Sequence, residues 1–193
     1  MDWRLYHAIY DVSLHHHWIG SLFHGIEQAS IPFMVVATGA LWFLSRPGGD
    51  RRWKLATGNG FAAAAVAYVV NVVIHSAWDR PRPYESHVIR HPWSVSTDAS
   101  FPSDHASVAL AIAFAVLAFD LTAGSVLLVA AVLIAVGRVL IGAHYPGDVL
   151  ASLGVALVAA FAVVRLARPI VDRVVRLVER ISDPLVRPLW RRA

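Results

Sequence analysis

Cysteine is absent from the 193 residues, and charged side chains are scarce. Without thiols the chain can form neither a disulfide nor a thiolate metal site. Only 16% of the residues are Asp, Glu, Lys or Arg, whereas 57% are hydrophobic. Soluble domains average about 25% charged and about 45–50% apolar residues, so this composition favours a protein whose solvent is largely lipid.

The first residues also lack the uninterrupted apolar run of a cleavable signal peptide, because charged residues and histidines interrupt them. Their apolar residues fit one helical face loosely, which predicts an interfacial helix over residues 1–18. The run His15-His16-His17 could bind a metal ion. Adjacent residues on a helix do not converge on one ion, so a solvated or headgroup-level segment is the preferred interpretation.

Five stretches approach the roughly 20 apolar residues that a helix needs to cross a membrane. They are residues 20–45, 53–77, 103–119, 122–141 and 147–167. We therefore predict an all-α integral membrane protein with a single domain over residues 1–193. A bundle of five to six transmembrane helices occupies 19–167 of that domain. A basic amphipathic cytoplasmic tail occupies 168–193.

The positions of lysine and arginine predict the orientation in the membrane, because cytoplasmic loops are enriched in both. With the N-terminus outside, twelve of the 17 basic residues fall inside, in the 46–54 loop and from Arg165 onward. A basic patch can also bind nucleic acid, but one that directly follows a span is better suited to anionic lipid headgroups. We expect no nucleic-acid partner. The long 78–102 connection and the short turn around 142–146 then lie outside.

Six polar side chains in or beside these outer loops have the chemistry of a phosphate site. Arg82 and Arg138 offer planar, permanently charged donors. Ser103 adds a hydroxyl at a predicted helix N-terminus, which favours anions. His105, two residues further, is placed to act as a general acid. His144 is a candidate nucleophile, and Asp148, four residues later, can reach its imidazole and fix the tautomer.

At these residues the sequence resembles the type 2 phosphatidic acid phosphatase superfamily. The family pattern is Lys-x6-Arg-Pro, then Pro-Ser-Gly-His, then Ser-Arg-x5-His-x3-Asp. The corresponding segments here are His75-x6-Arg82-Pro83, Pro102-Ser103-Asp104-His105 and Gly137-Arg138-x5-His144-x3-Asp148. The spacing agrees in all three, and the resemblance spans roughly residues 20–165.

Three positions depart from the family pattern. His75 replaces a lysine and is as consistent with a capping or interfacial histidine as with a substrate contact. Gly137 replaces a serine and removes one hydroxyl. Asp104 replaces a glycine; beside a phosphate it would need to bind a proton, orient His105, or pair with an arginine of the preceding loop. The Pro-Ser-Asp-His form resembles the bacterial branch of bacitracin-resistance undecaprenyl-diphosphatases. That branch also has a glutamate in the first span, and Glu27 of this sequence matches it loosely.

The resemblance implies a hydrolase that works without a metal or other cofactor. Arg82, Arg138, Ser103 and backbone N–H groups would hold the phosphate, with Asp104, His75 and Glu27 as further candidates. His144, oriented by Asp148, would form a phosphohistidine, and His105 would protonate the leaving group and then activate water.

The substrate that this branch implies is a polyprenyl diphosphate, the lipid carrier of cell-wall synthesis. Hydrolysis would occur on the outer side of a bacterial plasma membrane. Phosphatidic acid, phosphatidylglycerol phosphate and transfer to a lipid acceptor are alternatives. A permease subunit is a different class, which would need polar residues or broken helices at the membrane midplane. The oligomeric state is not predicted.

Overall fold

A computed structural model describes residues 2–89 and 93–190 of the chain. Within those two ranges the regular structure is entirely helical, which confirms the predicted all-α class. The helices are α1 (Asp2–His15), α2 (His17–Leu44), α3 (Arg52–Ala77), α4 (Pro83–Ser86), α5 (Asp104–Leu117), α6 (Leu121–Leu140), α7 (Pro146–Phe161), continued by a π-helical turn (Ala162–Leu166), and α8 (Arg168–Trp190).

Four of these helices are long and apolar enough to cross a membrane: α2, α3, α6, and α7 with its π-helical turn. The remaining predicted span, residues 103–119, corresponds to α5, which has only 14 residues. The ends of all five helices lie within three residues of the predicted ends. Pro32 does not interrupt α2, which continues through it. The predicted bundle of apolar helices is therefore confirmed.

Helix α5 lies at the centre of the bundle, packed against α3, α6 and α7. At about 1.5 Å per residue it is only about 21 Å long, shorter than the roughly 30 Å hydrocarbon layer. Its side chains are buried on all sides, with Ala106, Ala109, Ile112 and Val116 fully buried. Because neighbouring helices surround α5, it needs neither the length nor the lipid-facing side of an outer span.

The alternating direction of the five helices brings the predicted site segments to one end of the bundle. We call this the upper end: α2, α5 and α7 begin there, and α3 and α6 end there. The opposite, lower end contains the 46–51 loop and the turn at Asp120. The Asp120 carboxylate accepts a hydrogen bond from the Ala123 N–H at 2.8 Å and so caps α6.

Helix α8 packs against the lower end of α3, which the sequence analysis did not predict. Lys54 of α3 is 2% exposed, and its Nζ donates to Asp183 of α8 at 2.6 Å. Arg51 donates to Glu179 at 2.9 Å. The acidic residues of this basic helix therefore face the bundle, while its arginines are exposed.

Helix α1 lies over the loop between α6 and α7 at the upper end. Tyr6 and Tyr10 of α1 are buried, and the Tyr6 ring lies 5.6 Å from the ring of Tyr145. Gly142 in this loop has φ +82°, and a Cβ added there would come within 2.8 Å of the Tyr10 ring. A glycine is thus required both by the backbone conformation and by the close approach of α1.

Candidate active site

A cavity of about 230 Å³ opens at the upper end of the bundle. Its walls come from helices α2, α5 and α6, from the residues just before α4 and α7, and from the 87–103 connection, and most of the lining side chains are polar. The lining residues are Glu27, Arg82, Ser94, Val95, Ser96, Asp98, Ala99, Pro102, Asp104, His105, Arg138 and His144. Six of the nine predicted site residues therefore line one cavity; Ser103, Asp148 and His75 do not.

His144 is 1% exposed, and its hydrogen bonds fix the tautomer of its ring. Nδ1 lies 2.7 Å from the carbonyl oxygen of Ser100, which can only accept, so Nδ1 carries the proton. Nε2 lies 3.2 Å from Nη1 of Arg82 and 3.3 Å from Nη2 of Arg138, which can only donate. The lone pair of Nε2 is therefore held between two guanidinium groups at the cavity wall.

The environment of His144 also favours the neutral ring. Burial lowers the pKa of His144 well below its usual value, and the charges of Arg138 and Arg82 lower it further. A neutral imidazole keeps the Nε2 lone pair available at neutral pH, as a nucleophile requires.

Asp148 does not bond directly to His144, in contrast to the prediction. Its Oδ2 lies 3.7 Å from Nδ1 of His144 and instead accepts from the Ser100 hydroxyl at 2.6 Å. The backbone N–H of Tyr145 donates to the same carboxylate at 2.9 Å, and Arg80 Nη1 donates at 2.5 Å. Asp148 is thus linked to His144 through Ser100.

Arg82 is fixed by the 87–103 connection and by the loop that carries His144. Its Nε donates to the carbonyl of Asp98 at 2.9 Å and its Nη2 to the Asp98 carboxylate at 3.0 Å. Nη1 also donates to the carbonyl of Ala143 at 3.1 Å. Burial raises the pKa of Asp98, but the Ser96 hydroxyl and the Arg82 charge outweigh it, so the net shift is downward and the carboxylate stays ionised.

Arg138 forms an ion pair with Glu27, 2.5 Å between Nη1 and Oε1. The Ser94 hydroxyl donates to the same oxygen at 2.9 Å. Glu27 therefore belongs to the cavity instead of extending toward the membrane surface. Arg138 Nε is buried and has no hydrogen-bond partner in the described parts of the chain.

Ser103 precedes α5 as its N-cap, and its side chain is fully buried. Its backbone N–H donates to the Ser152 hydroxyl at 2.9 Å, so this N–H is already occupied. The Ser103 hydroxyl, in contrast, finds no partner among residues 2–89 and 93–190. Arg138 Nε is the other such buried donor at this end of the bundle.

Two predicted substrate contacts have other partners in the structure. His75 Nε2 donates to the carbonyl of Pro102 at 3.0 Å, so His75 supports the start of α5 from outside the cavity. Asp104 lines the cavity, but its carboxylate accepts from Asn71 Nδ2 at 2.7 Å. Its observed partner is thus an amide in the interior of α3, and neither His105 nor an arginine.

Gly137, which stands where the family has serine, permits close packing of α2 on α6. A Cβ at Gly137 would come within 2.8 Å of the Phe23 ring. The space beside Gly137 is therefore filled by an aromatic ring, which offers no hydroxyl in place of the missing one.

The sequence analysis missed Asp98, Ser100 and Ser94, which position the predicted residues. All three lie in the long 78–102 connection between the first and second motifs. Its length and its polar run Ser96-Thr97-Asp98 were the available signals, but no spacing rule indicates which of these side chains reach the arginines. The residues that the structure describes contain no group of three or more His, Cys, Asp or Glu arranged for a metal ion.

Comparison with known proteins places this geometry in a family. A sequence model of the PAP2 superfamily matches residues 57–171. Undecaprenyl-diphosphatase BcrC of Bacillus subtilis (strain 168) is 32% identical over 190 residues, covering 97% of this chain and 96% of the relative. Putative undecaprenyl-diphosphatase YbjG of Escherichia coli (strain K12) is 37% identical over 92 residues, 47% of this chain and 46% of its own.

Two solved structures share the fold. The crystal structure of Aquifex aeolicus LpxE has a TM-score of 0.65 at 20% identity, covering 82% of this chain and 91% of its own. The crystal structure of a transmembrane PAP2 type phosphatidylglycerolphosphate phosphatase from Bacillus subtilis has a TM-score of 0.61 at 21% identity, covering 83% of this chain and 83% of its own. With the family model over more than half of the chain and a curated relative matched along nearly its whole length, this protein belongs to the PAP2 superfamily.

Proposed function

We propose that this protein is a membrane lipid phosphatase that hydrolyses undecaprenyl diphosphate, or a similar polyprenyl diphosphate, to the monophosphate and inorganic phosphate. The near full-length similarity to BcrC supports this substrate. The observation that carries the reaction is the Nε2 lone pair of His144, held between Arg82 and Arg138 at the wall of a polar cavity.

The first step transfers the terminal phosphoryl group to His144. The Nε2 lone pair attacks the terminal phosphorus, and the bond from that phosphorus to the bridging oxygen breaks. The electron pair of the broken bond stays on the bridging oxygen of the lipid monophosphate, and His105 donates a proton to it. The positive charge on the imidazole ring is stabilised by the Ser100 carbonyl at Nδ1 and by Asp148 beyond it.

The second step releases phosphate. Water attacks the phosphorus of the phosphohistidine while His105 takes one of its protons, which restores the acid used in the first step. The N–P bond breaks, and its electron pair returns to Nε2 of His144. Both steps develop charge on the same phosphoryl oxygens, which Arg82 and Arg138 at the cavity wall are placed to stabilise.

The charges at the two ends of the bundle support an outward-facing site. The lower end carries Arg46, Arg51, Arg52 and Lys54, together with the arginines of α8. Cytoplasmic ends of membrane proteins are enriched in such residues, so the lower end is cytoplasmic and the cavity opens on the extracytoplasmic side. Inorganic phosphate is then released outside the cell.

The exposed surface of α8 supports binding to anionic lipids. An apolar stripe at helical spacing is exposed along one side of it: Ile170, Val174, Leu177, Ile181 and Leu185. The arginines Arg173, Arg176, Arg180 and Arg187 lie on a neighbouring side, away from the face that packs on α3. This arrangement suits a helix whose stripe contacts acyl chains while its arginines reach headgroup phosphates.

The test is phosphate release by the purified protein in detergent with undecaprenyl diphosphate as substrate. We expect turnover that vanadate, a phosphate mimic, inhibits. His144→Ala should abolish it, while the exposed residue change His15→Ala leaves it intact. Substrate labelled in the terminal phosphate should also leave an acid-labile, base-stable label on the wild-type protein and none on His144→Ala.

The same assay distinguishes the alternatives. Faster turnover of phosphatidic acid or phosphatidylglycerol phosphate would reassign the substrate within the family. Recovery of the label in a lipid product instead of inorganic phosphate would indicate a phosphotransferase. Normal turnover by His144→Ala would disprove the nucleophile assignment.

A further inference from the structure

The carboxylate of Asp2, at the start of α1, makes two hydrogen bonds at the upper end of the bundle. Its Oδ2 accepts from Arg80 Nη2 at 2.7 Å, and its Oδ1 accepts from the backbone N–H of Gly147 at 2.9 Å. Gly147 is the second residue of α7, where N–H groups lack partners within the helix. Asp2 therefore caps α7 from another helix.

Arg80 connects Asp2 to the environment of His144 by two routes. Through its side chain, Nη1 donates to Asp148 at 2.5 Å, and Asp148 accepts the Ser100 hydroxyl. Through its backbone, the Arg80 carbonyl accepts the Ser100 N–H at 2.8 Å. The Ser100 carbonyl oxygen in turn accepts a hydrogen bond from the proton-bearing Nδ1 of His144 at 2.7 Å. The position and tautomer of the histidine thus depend on Ser100, and Ser100 depends on Arg80 and Asp148.

Ring contacts hold α1, and with it Asp2, against the rest of the upper end. Trp3 stacks on His87 with ring centroids 3.6 Å apart, and the Tyr6 ring lies 5.6 Å from the Tyr145 ring. The guanidinium of Arg80 lies 4.4 Å from the ring centroid of Tyr145, which closes the cluster around it. Burial lowers the pKa of Arg80, but the hydrogen bond to Asp2 and the charges of Asp148 and Asp2 outweigh it, so the pKa is raised overall and the guanidinium stays charged.

We propose that Asp2 is a positioning residue for the reaction: by holding Arg80 it fixes Asp148 and Ser100, and through them the imidazole of His144. This inference rests on the proposed function, because it assigns a role in that same reaction. It gives α1 a task in catalysis beyond its predicted place at the membrane interface. Asp2 itself does not line the cavity, so its effect on the reaction passes through Arg80.

The test compares Asp2→Asn with the wild type in steady-state hydrolysis of undecaprenyl diphosphate. Misplacing a catalytic group by about 1 Å can cost up to about 100-fold, so we expect kcat to fall about 10- to 100-fold with KM changed less than about 2-fold. Asp2→Glu, which keeps the charge, should recover part of kcat. Asp11→Asn, on the same helix but outside the Arg80 contacts, is the matched control and should keep normal kcat.

A second variant separates positioning from general destabilisation. A Cβ at Gly147 would lie 2.9 Å from Asp2 Oδ2, so Gly147→Ala displaces the carboxylate without removing its charge. Alanine is a better helix former than glycine, so we expect thermal stability in detergent to be kept while kcat falls. Loss of stability in parallel with kcat would instead indicate a purely structural contact.

A double-mutant cycle with Arg80→Gln completes the test. If Asp2 acts through Arg80, Asp2→Asn should lower kcat further by less than about 2-fold in the Arg80→Gln protein. Additive losses, or a normal kcat in Asp2→Asn alone, would overturn the inference. A wild-type protein that hydrolyses no lipid diphosphate would instead contradict the proposed function, so the two failures are distinguishable.

Discussion

Ser100 stands between Asp148 and His144, whose facing atoms Oδ2 and Nδ1 are 3.7 Å apart. The serine carbonyl accepts from the imidazole, and its hydroxyl donates to the carboxylate. The direct carboxylate–histidine bond of a nucleophilic triad is therefore replaced by a contact through a third residue.

This arrangement predicts an order of severity among three substitutions. Removing the nucleophile in His144→Ala should abolish turnover. Asp148→Asn should lower kcat about 100- to 1,000-fold, because the buried amide replaces an acceptor of three donors and leaves Arg80 without one partner. Ser100→Ala keeps the carbonyl that orients His144 and should cost only about 10-fold. The check is kcat for the three proteins, with thermal stability measured alongside. A Ser100→Ala loss equal to that of Asp148→Asn would contradict this order.

The limits of the sequence analysis are visible in these same residues. The apolar stretches predicted the spans because membrane thickness sets the length of a helix. The alternation of those spans then placed Arg82, Ser103, Arg138 and His144 at one end. Their side chains had chemistry that only a shared anion site explains well.

The partners of these residues could not be predicted from spacing. Which oxygen accepts from Nδ1 of His144 depends on how the 78–102 connection folds over the helix ends, and that connection carries no periodic pattern. The packing of α8 was missed for a similar reason: its net positive charge concealed the acidic residues Glu179 and Asp183, which pair with α3.

The depressed pKa of His144 predicts the acid side of the pH–rate profile. The reaction requires a neutral imidazole, which is fully present above the pKa of His144 in the folded protein and lost as the pH falls through it. Burial and two arginine charges lower that pKa, so the acid limb of kcat/KM should lie below pH 6.5, the ordinary histidine value.

Removing one of the two arginine charges beside His144 should move the acid limb of the pH–rate profile to higher pH. In Arg138→Gln the imidazolium is less disfavoured, so the pKa of His144 rises and the acid limb moves to higher pH, although the maximal rate falls. The measurement is kcat/KM against pH for both proteins. An acid limb that moves to lower pH in this variant would show that another group controls it.

The ion pair between Glu27 and Arg138 predicts an effect of Glu27 on anion affinity. A phosphate that binds Arg138 must compete with a carboxylate 2.5 Å from Nη1 and bear its repulsion. Glu27→Gln removes the negative charge and keeps the shape. At an effective dielectric near 20, a charge a few ångströms away contributes a few kcal/mol before screening, so we expect vanadate to bind at least about 5-fold more tightly.

The inhibition constant for vanadate is the direct measurement, and Asp11→Asn is the control for loss of a carboxylate outside the cavity. Weaker inhibition of Glu27→Gln would contradict the competition. It would indicate instead that the ion pair holds Arg138 in its binding position and that the carboxylate assists the anion indirectly.

The two histidines on either side of Pro102 should differ sharply in their contribution to turnover. His75 donates to the Pro102 carbonyl from outside the cavity, whereas His105 lines the cavity beside the arginines. A lost hydrogen bond to a backbone carbonyl costs about 1 kcal/mol, so His75→Ala should lower kcat/KM less than about 10-fold. Loss of the general acid in His105→Ala should cost about 100- to 10,000-fold in kcat/KM.

Both variants are compared in the same phosphate-release assay, with a substrate analogue whose leaving group needs no proton. That analogue should restore the first step of His105→Ala and leave His75→Ala unchanged. A His75→Ala protein as inactive as His105→Ala would indicate that His75 contacts the substrate, as the sequence analysis suggested.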